Sequence, residues 1–143
     1  MKKQDTKKTA PIMGMPDYQW NNRVVLITED EEVNFYYLKT LLQRADATVI
    51  RAKNGKEAVE IITKHRGGID LILMDINMPE MDGVTCAQKI FEYDPKAKIA
   101  IMSGYDSNGQ YGVKEKEKKM FKGYLTKPIG LNELSQFLSR FNN

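Results

Sequence analysis

The sequence predicts an α/β fold in which a parallel sheet carries helices on both faces. Short apolar runs alternate along the 143 residues with segments whose side chains repeat every three or four positions, which is the alternation of strands and helices. The run at 69–74 is almost continuously apolar, as expected for a strand that is buried on both faces. No internal repeat is visible, and short crossovers between parallel strands must be right-handed.

Two strands and two helices are predicted in the first half of the chain. Residues 24–28 and 47–52 are short runs rich in β-branched side chains, which is typical of strands. The helix between them is indicated by the spacing of Val33, Tyr36, Tyr37, Thr40, Leu41 and Arg44. Asn54 can cap the next helix and follows directly on the second strand. That second helix is marked by Ala58, Val59, Ile61 and Ile62.

The run at 69–74 is the third strand, and Asp75 stands where it ends. Pro79 and Gly83 then break the chain into a loop. The helix after this loop is marked by Val84, Ala87, Ile90 and Phe91. An acid in this place can simply end a strand or cap a helix. Sites in open parallel sheets form beyond the carboxyl ends of the strands, however, so Asp75 is also a candidate functional residue.

The last part of the chain adds two strands, at 98–102 and 123–126, and a final helix. That helix has an apolar stripe formed by Leu131, Leu134, Phe137, Leu138 and Phe141. The segment 105–122 between the two strands is polar and rich in glycine and alternating charges. We therefore expect a short or poorly ordered helix there, beginning after Gly112.

Length and composition indicate one folded domain, which we place at 23–143, preceded by a flexible tail or linker at 1–22. The excess of basic residues behind the net charge of +3 lies within residues 1–23, so we expect no direct binding of nucleic acid by the fold. No apolar run reaches the roughly 18 residues of a membrane span. The single Cys86 cannot form an internal disulfide, which favours a reducing, cytoplasmic location.

Polar side chains collect where the predicted strands end. They are Glu29, Asp30, Asp75, Ser103 and Lys127. Each alone is weak evidence, because acids near helix starts are usually dipole complements and lysines after strands are usually solvated. Together they are chemically coherent, since several carboxylates in one place repel unless a cation lies among them. Hard oxygen ligands select Mg²⁺, with Mn²⁺ as a substitute.

The same set of groups could handle a phosphoryl group. A carboxylate at the edge of a metal site can attack phosphorus and form an acyl phosphate. A lysine and a hydroxyl can bind the phosphoryl oxygens while the metal neutralises their charge. No glycine-rich fingerprint follows the first strand, so we expect no nucleotide cofactor.

These motifs resemble the receiver domains of two-component response regulators. The markers, in chain order, are Glu29-Asp30, Asp75-Ile76-Asn77-Met78-Pro79-Glu80-Met81-Asp82-Gly83, Ser103-Gly104 and Tyr124-Leu125-Thr126-Lys127-Pro128. The resemblance covers about 23–142 and implies a flavodoxin-like three-layer sandwich with strand order 2-1-3-4-5. The run at 30–34 and the preceding Trp20 are similar to receivers attached to hybrid sensor histidine kinases.

The resemblance implies a role for each acidic residue. Asp75 matches the aspartate that accepts a phosphoryl group from a histidine kinase's phosphohistidine. Asp30 matches a direct Mg²⁺ ligand, and Glu29 matches the acid that usually reaches the metal through water. Asn77 matches the position whose backbone carbonyl is a further ligand and whose side chain influences hydrolysis of the phosphoryl group, including autodephosphorylation.

It also implies how the phosphoryl group is held and reported. Ser103 matches the hydroxyl that bonds the phosphoryl group, and Lys127 matches the lysine that pairs with it, in a Lys–Pro peptide that is usually cis. Tyr124 matches an aromatic switch that turns inward when Ser103 moves. Gly104 leaves room for a phosphodonor. The partner implied is a histidine kinase or a phosphotransfer protein, while the downstream target stays unknown.

Two alternatives belong to other functional classes. The first is a Mg²⁺-dependent phosphohydrolase with an aspartyl-phosphate intermediate. Such enzymes use an Asp-x-Asp motif whose second acid protonates the leaving group, and here Asn77 has no carboxyl proton to give. The second is a degenerate receiver that acts only as a binding module, which the complete set of groups disfavours.

Overall fold

Five parallel strands form the centre of the molecule. The computed structural model describes residues 20–65, 67–104 and 113–141. The strands are β1 (Val24–Thr28), β2 (Thr48–Ala52), β3 (Leu71–Asp75), β4 (Ile99–Ser103) and β5 (Gly123–Thr126). They lie in the order β2-β1-β3-β4-β5, and all four neighbouring pairs are parallel. This confirms the predicted fold class and strand order.

Within the described residues, four α-helices connect or follow these strands. They are α1 (Glu32–Arg44), α2 (Gly55–Lys64), α3 (Gly83–Tyr93) and α4 (Leu131–Phe141). The predicted cap of α2 is present, since the Asn54 side chain accepts a hydrogen bond of 2.8 Å from the backbone N–H of Glu57. Asp82 caps α3 in the same way, accepting from the N–H of Thr85 at 2.8 Å.

The sheet separates two cores because successive strand residues point to opposite faces. One core contains Val25 and Ile27 of β1 and the buried residues of α1 and α4. The other contains Leu26 of β1 and the buried residues of α2 and α3. All five residues of β3 and of β4 are buried, as the nearly continuous apolar run at 69–74 predicts.

The residues that predicted α1 are mostly not the ones that it buries. The helix packs on the sheet through Phe35, Leu38, Leu41 and Leu42. Of the predicted spacing, only Leu41 is buried, and Val33 is 80% exposed and Tyr36 56% exposed. The helix carries apolar side chains on two faces, so the periodicity located the helix, but most of the residues that carry it do not face the core.

The segment before β5 agrees in part with its prediction. A short 3-10 helix at Glu115–Met120 begins after Gly112. Val113 and Phe121 on either side of this helix are buried in the core and anchor it. Residues 105–112 of the predicted segment lie outside the part of the chain that the structure describes.

Trp20 belongs to the core although it falls in the segment predicted as a tail or linker. It is fully buried, and its ring stacks on Phe141 at 5.7 Å. Its backbone N–H donates to the carbonyl of Ala45 at 2.7 Å. Of the predicted tail, only residues 20–22 are described, and residues 1–19 lie outside the described part of the chain. The domain boundary therefore remains a prediction.

Candidate functional site

The polar groups predicted to meet lie at the carboxyl edge of the sheet. Glu29 and Asp30 follow β1, Asp75 ends β3, Ser103 ends β4 and Lys127 follows β5. The strand register places the ends of β1, β3, β4 and β5 side by side. This edge is where open parallel sheets form their binding sites.

Three carboxylates form a compact cluster at this edge. One oxygen each of Glu29, Asp30 and Asp75 lie within 4.8 Å of one another. Glu29 is fully buried and Asp75 is 2% exposed, whereas Asp30 is exposed. The cluster therefore has a closed base formed by two acids and an open rim formed by the third. An all-oxygen, partly open set of this kind fits Mg²⁺, which keeps several waters when it binds to proteins.

Lys127 bridges the two buried acids. Its Nζ lies 3.0 Å from Glu29 Oε1 and 3.0 Å from Asp75 Oδ2. Burial lowers the pKa of Lys127, but hydrogen bonds to Glu29 and Asp75 and the charges of both acids together raise it above its ordinary value. The lysine is thus held charged between the carboxylates, at the place where an anionic group bound to Asp75 would meet it.

Neighbouring groups shift the pKa of Asp75 in opposite directions. Burial raises its pKa to about 6, and the negative charge of Glu29 acts in the same direction. The charge and hydrogen bond of Lys127 and the backbone N–H of Asn77 lower it. Asp75 is therefore ionised at neutral pH but sits in a site where further positive charge would be stabilising.

The loop after β3 is folded tightly around Asp75. Asp75 Oδ1 accepts a hydrogen bond from the backbone N–H of Asn77 at 3.1 Å. The N–H of Gly83 donates to the carbonyl of Ile76 at 2.9 Å, closing the loop. A Cβ at Gly83 would lie only 2.5 Å from the backbone oxygen of Asp75, so this close approach requires glycine. The local sequence thereby presents one oxygen of Asp75 to Asn77 and the other to Lys127.

Ser103 ends β4 and Tyr124 lies within β5, and the hydroxyl of each donates to a backbone carbonyl. Ser103 is 5% exposed, and its hydroxyl donates to the carbonyl of Gly104 at 3.3 Å. A Cβ at Gly104 would meet no atom of the described residues within 4 Å. The hydroxyl of Tyr124 donates to the carbonyl of Lys118 in the 3-10 helix at 2.5 Å.

Arg51 is a residue at the site that the sequence reasoning did not single out. It projects from β2 and donates from Nη2 to the backbone carbonyl of Glu29 at 3.0 Å. Arg51 lies one residue before the end of β2, and β2 pairs with β1, the strand that Glu29 and Asp30 follow. This position near the strand end is the feature of the sequence that could have indicated a role at the site. Cys86 is buried, and burial raises the pKa of its thiol to about 12.

A largely apolar cavity of about 350 Å³ adjoins the carboxylates. It is lined by Glu29, Val33, Asn34, Tyr37, Leu38, Lys127, Pro128 and Ile129. The hydroxyl of Tyr37 donates to the carbonyl of Ile129 at 2.9 Å, which ties α1 to the loop after β5. The Lys127–Pro128 peptide in that loop is cis, as the resemblance implies.

Comparisons with known proteins place this geometry in context. A family model described as "Response regulator receiver domain" matches residues 25–139. The chain is 35% identical over 130 residues to the Autoinducer 1 sensor kinase/phosphatase LuxN of Vibrio campbellii, covering 90% of this chain and 15% of that protein. It is 32% identical over 111 residues to the chemotaxis protein CheY of Treponema pallidum, covering 75% of this chain and 73% of that one.

A solved structure extends the likeness to the fold. The receiver domain of the response regulator Ssk1 from Saccharomyces cerevisiae, crystallised with the histidine phosphotransfer signalling protein Ypd1, has a TM-score of 0.71. It is 27% identical, and the match covers 85% of this chain and 89% of that one. Among the helices of the described residues, none is long and apolar enough to cross a membrane.

Proposed function

The chain belongs to the receiver domain family of response regulators, and from this premise we propose that Asp75 is its phosphoacceptor. As a receiver domain, the chain acts in a two-component phosphorelay. The observation that carries the assignment of Asp75 is its geometry. It is the one carboxylate of the cluster that ends a central strand, contacts Lys127 and accepts a backbone N–H from its own loop.

The proposed reaction transfers a phosphoryl group from a phosphohistidine to an Asp75 carboxylate oxygen. The O–P bond forms as the P–N bond to the imidazole breaks, and the imidazole leaves with a proton in place of phosphorus. Asp75 must be ionised to attack, and its pKa of about 6 satisfies this condition at neutral pH. Lys127 lies 3.0 Å from Asp75 Oδ2, within reach of the oxygens of an attached phosphoryl group.

We further propose that the carboxylates hold Mg²⁺, or Mn²⁺ in its place. Asp30 and Asp75 would be direct ligands with the backbone carbonyl of Asn77, and Glu29 would act through water. The compact oxygen cluster supports this assignment, as does the charge of Glu29, which adds to burial in raising the pKa of Asp75. The ion would supply positive charge to the phosphoryl oxygens during transfer.

The proposed phosphodonor is a protein, either a histidine kinase or a histidine phosphotransfer protein. Val33 and Tyr36 on α1 are exposed apolar side chains, and the apolar cavity beside Glu29 and Lys127 adjoins the same helix. Apolar surface next to a reactive group favours contact with a protein over a small polar donor alone. The relative Ssk1 was crystallised with such a phosphotransfer protein, and this chain spans 15% of the sensor kinase LuxN.

The assay that tests this function separates a phosphoacceptor from a phosphohydrolase. We expect acetyl phosphate with Mg²⁺ to add one phosphoryl group to the chain, measured by intact mass, and EDTA to prevent it. An unactivated phosphate monoester such as glycerol phosphate is expected to give no sustained release of inorganic phosphate, because Asn77 cannot protonate an alkoxide leaving group. Steady release of phosphate that needs Asp75 would contradict the receiver mechanism and favour the hydrolase.

We propose that Ser103 and Tyr124 report the phosphoryl group to the 3-10 helix. Ser103 is positioned to move its hydroxyl from the carbonyl of Gly104 to a phosphoryl oxygen. Tyr124 would then turn inward and release the carbonyl of Lys118. We also propose that the Asn77 side chain influences hydrolysis of the acyl phosphate, that the chain removes its own phosphoryl group, and that it works in the cytoplasm.

Hydrogen exchange tests this switch. Beryllofluoride with Mg²⁺ is expected to change amide exchange at 113–120 in the wild-type chain, because the link between Tyr124 and Lys118 is released. In Tyr124→Phe, which lacks the hydroxyl, the 3-10 helix should exchange faster from the start and respond less. Identical exchange at 113–120 with and without beryllofluoride would remove the proposed switch.

A further inference from the structure

We propose that Arg51 is a positioning residue that sets the Mg²⁺ affinity of the carboxylate site. It would do so by holding the peptide group between Glu29 and Asp30. This inference rests on the proposed function, because it assigns a role in the same metal site. It adds a residue from β2, a strand that contributes none of the acids of the site.

The contacts of Arg51 form a clamp on one backbone carbonyl. Nε and Nη2 both donate to the carbonyl of Glu29, at 3.3 and 3.0 Å. Nη1 pairs with Glu32 Oε1 at 2.7 Å, and the guanidinium lies over the ring of Phe35 at 4.5 Å. The Arg51 side chain is only 14% exposed, so both hydrogen bonds to the carbonyl are shielded from water.

The clamped carbonyl lies in the peptide that leads directly into Asp30. Asp30 is exposed, so the direction of its carboxylate depends on the backbone that carries it. The backbone N–H of Glu29 donates to the carbonyl of Ala52 at 3.0 Å, which holds the other side of the same residue. Arg51 and Ala52 of β2 therefore fix both peptide groups of Glu29. They hold Asp30 near the other two acids before a cation arrives.

The positive charge of Arg51 lowers the Mg²⁺ affinity of the site, whereas its hydrogen bonds to the carbonyl of Glu29 raise it. A cation near a Mg²⁺ site disfavours the metal, and the pairing with Glu32 offsets part of this charge. A lysine would keep the charge but could not present two parallel N–H groups to one carbonyl while reaching Glu32. Arg51→Lys therefore removes the clamp and leaves the charge. Glu32→Gln is the matched control, since it removes the ion pair and leaves both bonds to the carbonyl of Glu29.

The test measures Mg²⁺ binding to the unphosphorylated chain by titration calorimetry. We expect Arg51→Lys to weaken Mg²⁺ affinity by about tenfold, as for other residues that orient metal ligands. Glu32→Gln should stay within about twofold of the wild type, because Glu32 is well exposed and such pairs contribute little. At saturating Mg²⁺, the rate of labelling of Arg51→Lys by acetyl phosphate should return to within about twofold of the wild type.

Three outcomes would overturn the inference. They are wild-type Mg²⁺ affinity in Arg51→Lys, an equal loss of affinity in Glu32→Gln, and a low labelling rate of Arg51→Lys that saturating Mg²⁺ does not restore. The last would indicate a misfolded or otherwise damaged site. If the wild-type chain itself bound no Mg²⁺ and took no label, the proposed function would fail and this inference with it.

Discussion

Asp75→Asn is expected to abolish labelling of the chain by acetyl phosphate. The substitution keeps the shape of the side chain but replaces the nucleophilic carboxylate by an amide, which cannot form an acyl phosphate. Without Mg²⁺ the variant should also be more stable than the wild type at neutral pH. Intact mass spectrometry measures the label, and denaturant unfolding measures the free energy of unfolding.

The sign of the stability change follows from the pKa of Asp75. Burial raises this pKa from 3.8 to about 6, so the folded chain binds a proton more tightly than the unfolded chain. Stability that depends on this group is present below about pH 4 and is lost as the pH rises to about 6. At pH 7 an uncharged asparagine avoids that loss, which is on the order of 3 kcal/mol.

Asp70→Asn is the matched control for this variant. It makes the same chemical change just before the other end of β3, where Asp70 accepts the backbone N–H of Val24 at 2.7 Å. We expect Asp70→Asn to label like the wild type. Undiminished labelling of Asp75→Asn would exclude Asp75 as the phosphoacceptor, whatever its effect on stability.

Lys127→Met is expected to lower the rate of labelling by about 100-fold, the typical effect of removing a group that stabilises developing charge. The variant loses the only cation that contacts both Glu29 and Asp75 among the described residues. Because Lys127 lowers the pKa of Asp75, its loss should raise that pKa further. As the pH is lowered at a fixed Mg²⁺ concentration, the labelling rate of the variant should therefore begin to fall at a higher pH than that of the wild type.

Lys122→Met controls for the loss of a lysine near the same strand. Lys122 is exposed and precedes β5, whereas Lys127 follows it. The control should keep both the wild-type rate and the wild-type pH profile. A Lys127→Met variant with an unchanged rate across pH 5–8 would refute the role proposed for this lysine.

Most of the fold, and the edge of the sheet at which the candidate residues lie, could be predicted from the pattern of apolar and polar residues along the sequence. The buried run before Asp75 and the alternation of strands and helices indicate a parallel sheet, and such a sheet brings its strand ends to one edge. That is why Glu29, Asp30 and Lys127 could be predicted to meet Asp75 although they are distant in sequence.

The remaining features depend on contacts that no local pattern encodes. On α1 two apolar faces compete, and only packing on the sheet decides that Leu38 is buried and Tyr36 is exposed. Arg51 looks like an ordinary charged residue in a strand, because its function arises from the register of β2 beside β1. Trp20 falls in the segment predicted as a tail or linker, yet its stacking on Phe141 near the other end of the chain places it in the core.

The most direct test of the central claim is to locate the phosphoryl group in the labelled wild-type chain. Borohydride reduces an acyl phosphate on aspartate to homoserine, and tandem mass spectrometry then identifies the changed residue in the tryptic peptide 67–89. We predict modification at Asp75 alone, dependent on Mg²⁺ and absent from Asp70 and Asp82 in the same peptide. Modification at Asp30 or another acid, with Asp75 unchanged, would contradict the assignment of the phosphoacceptor.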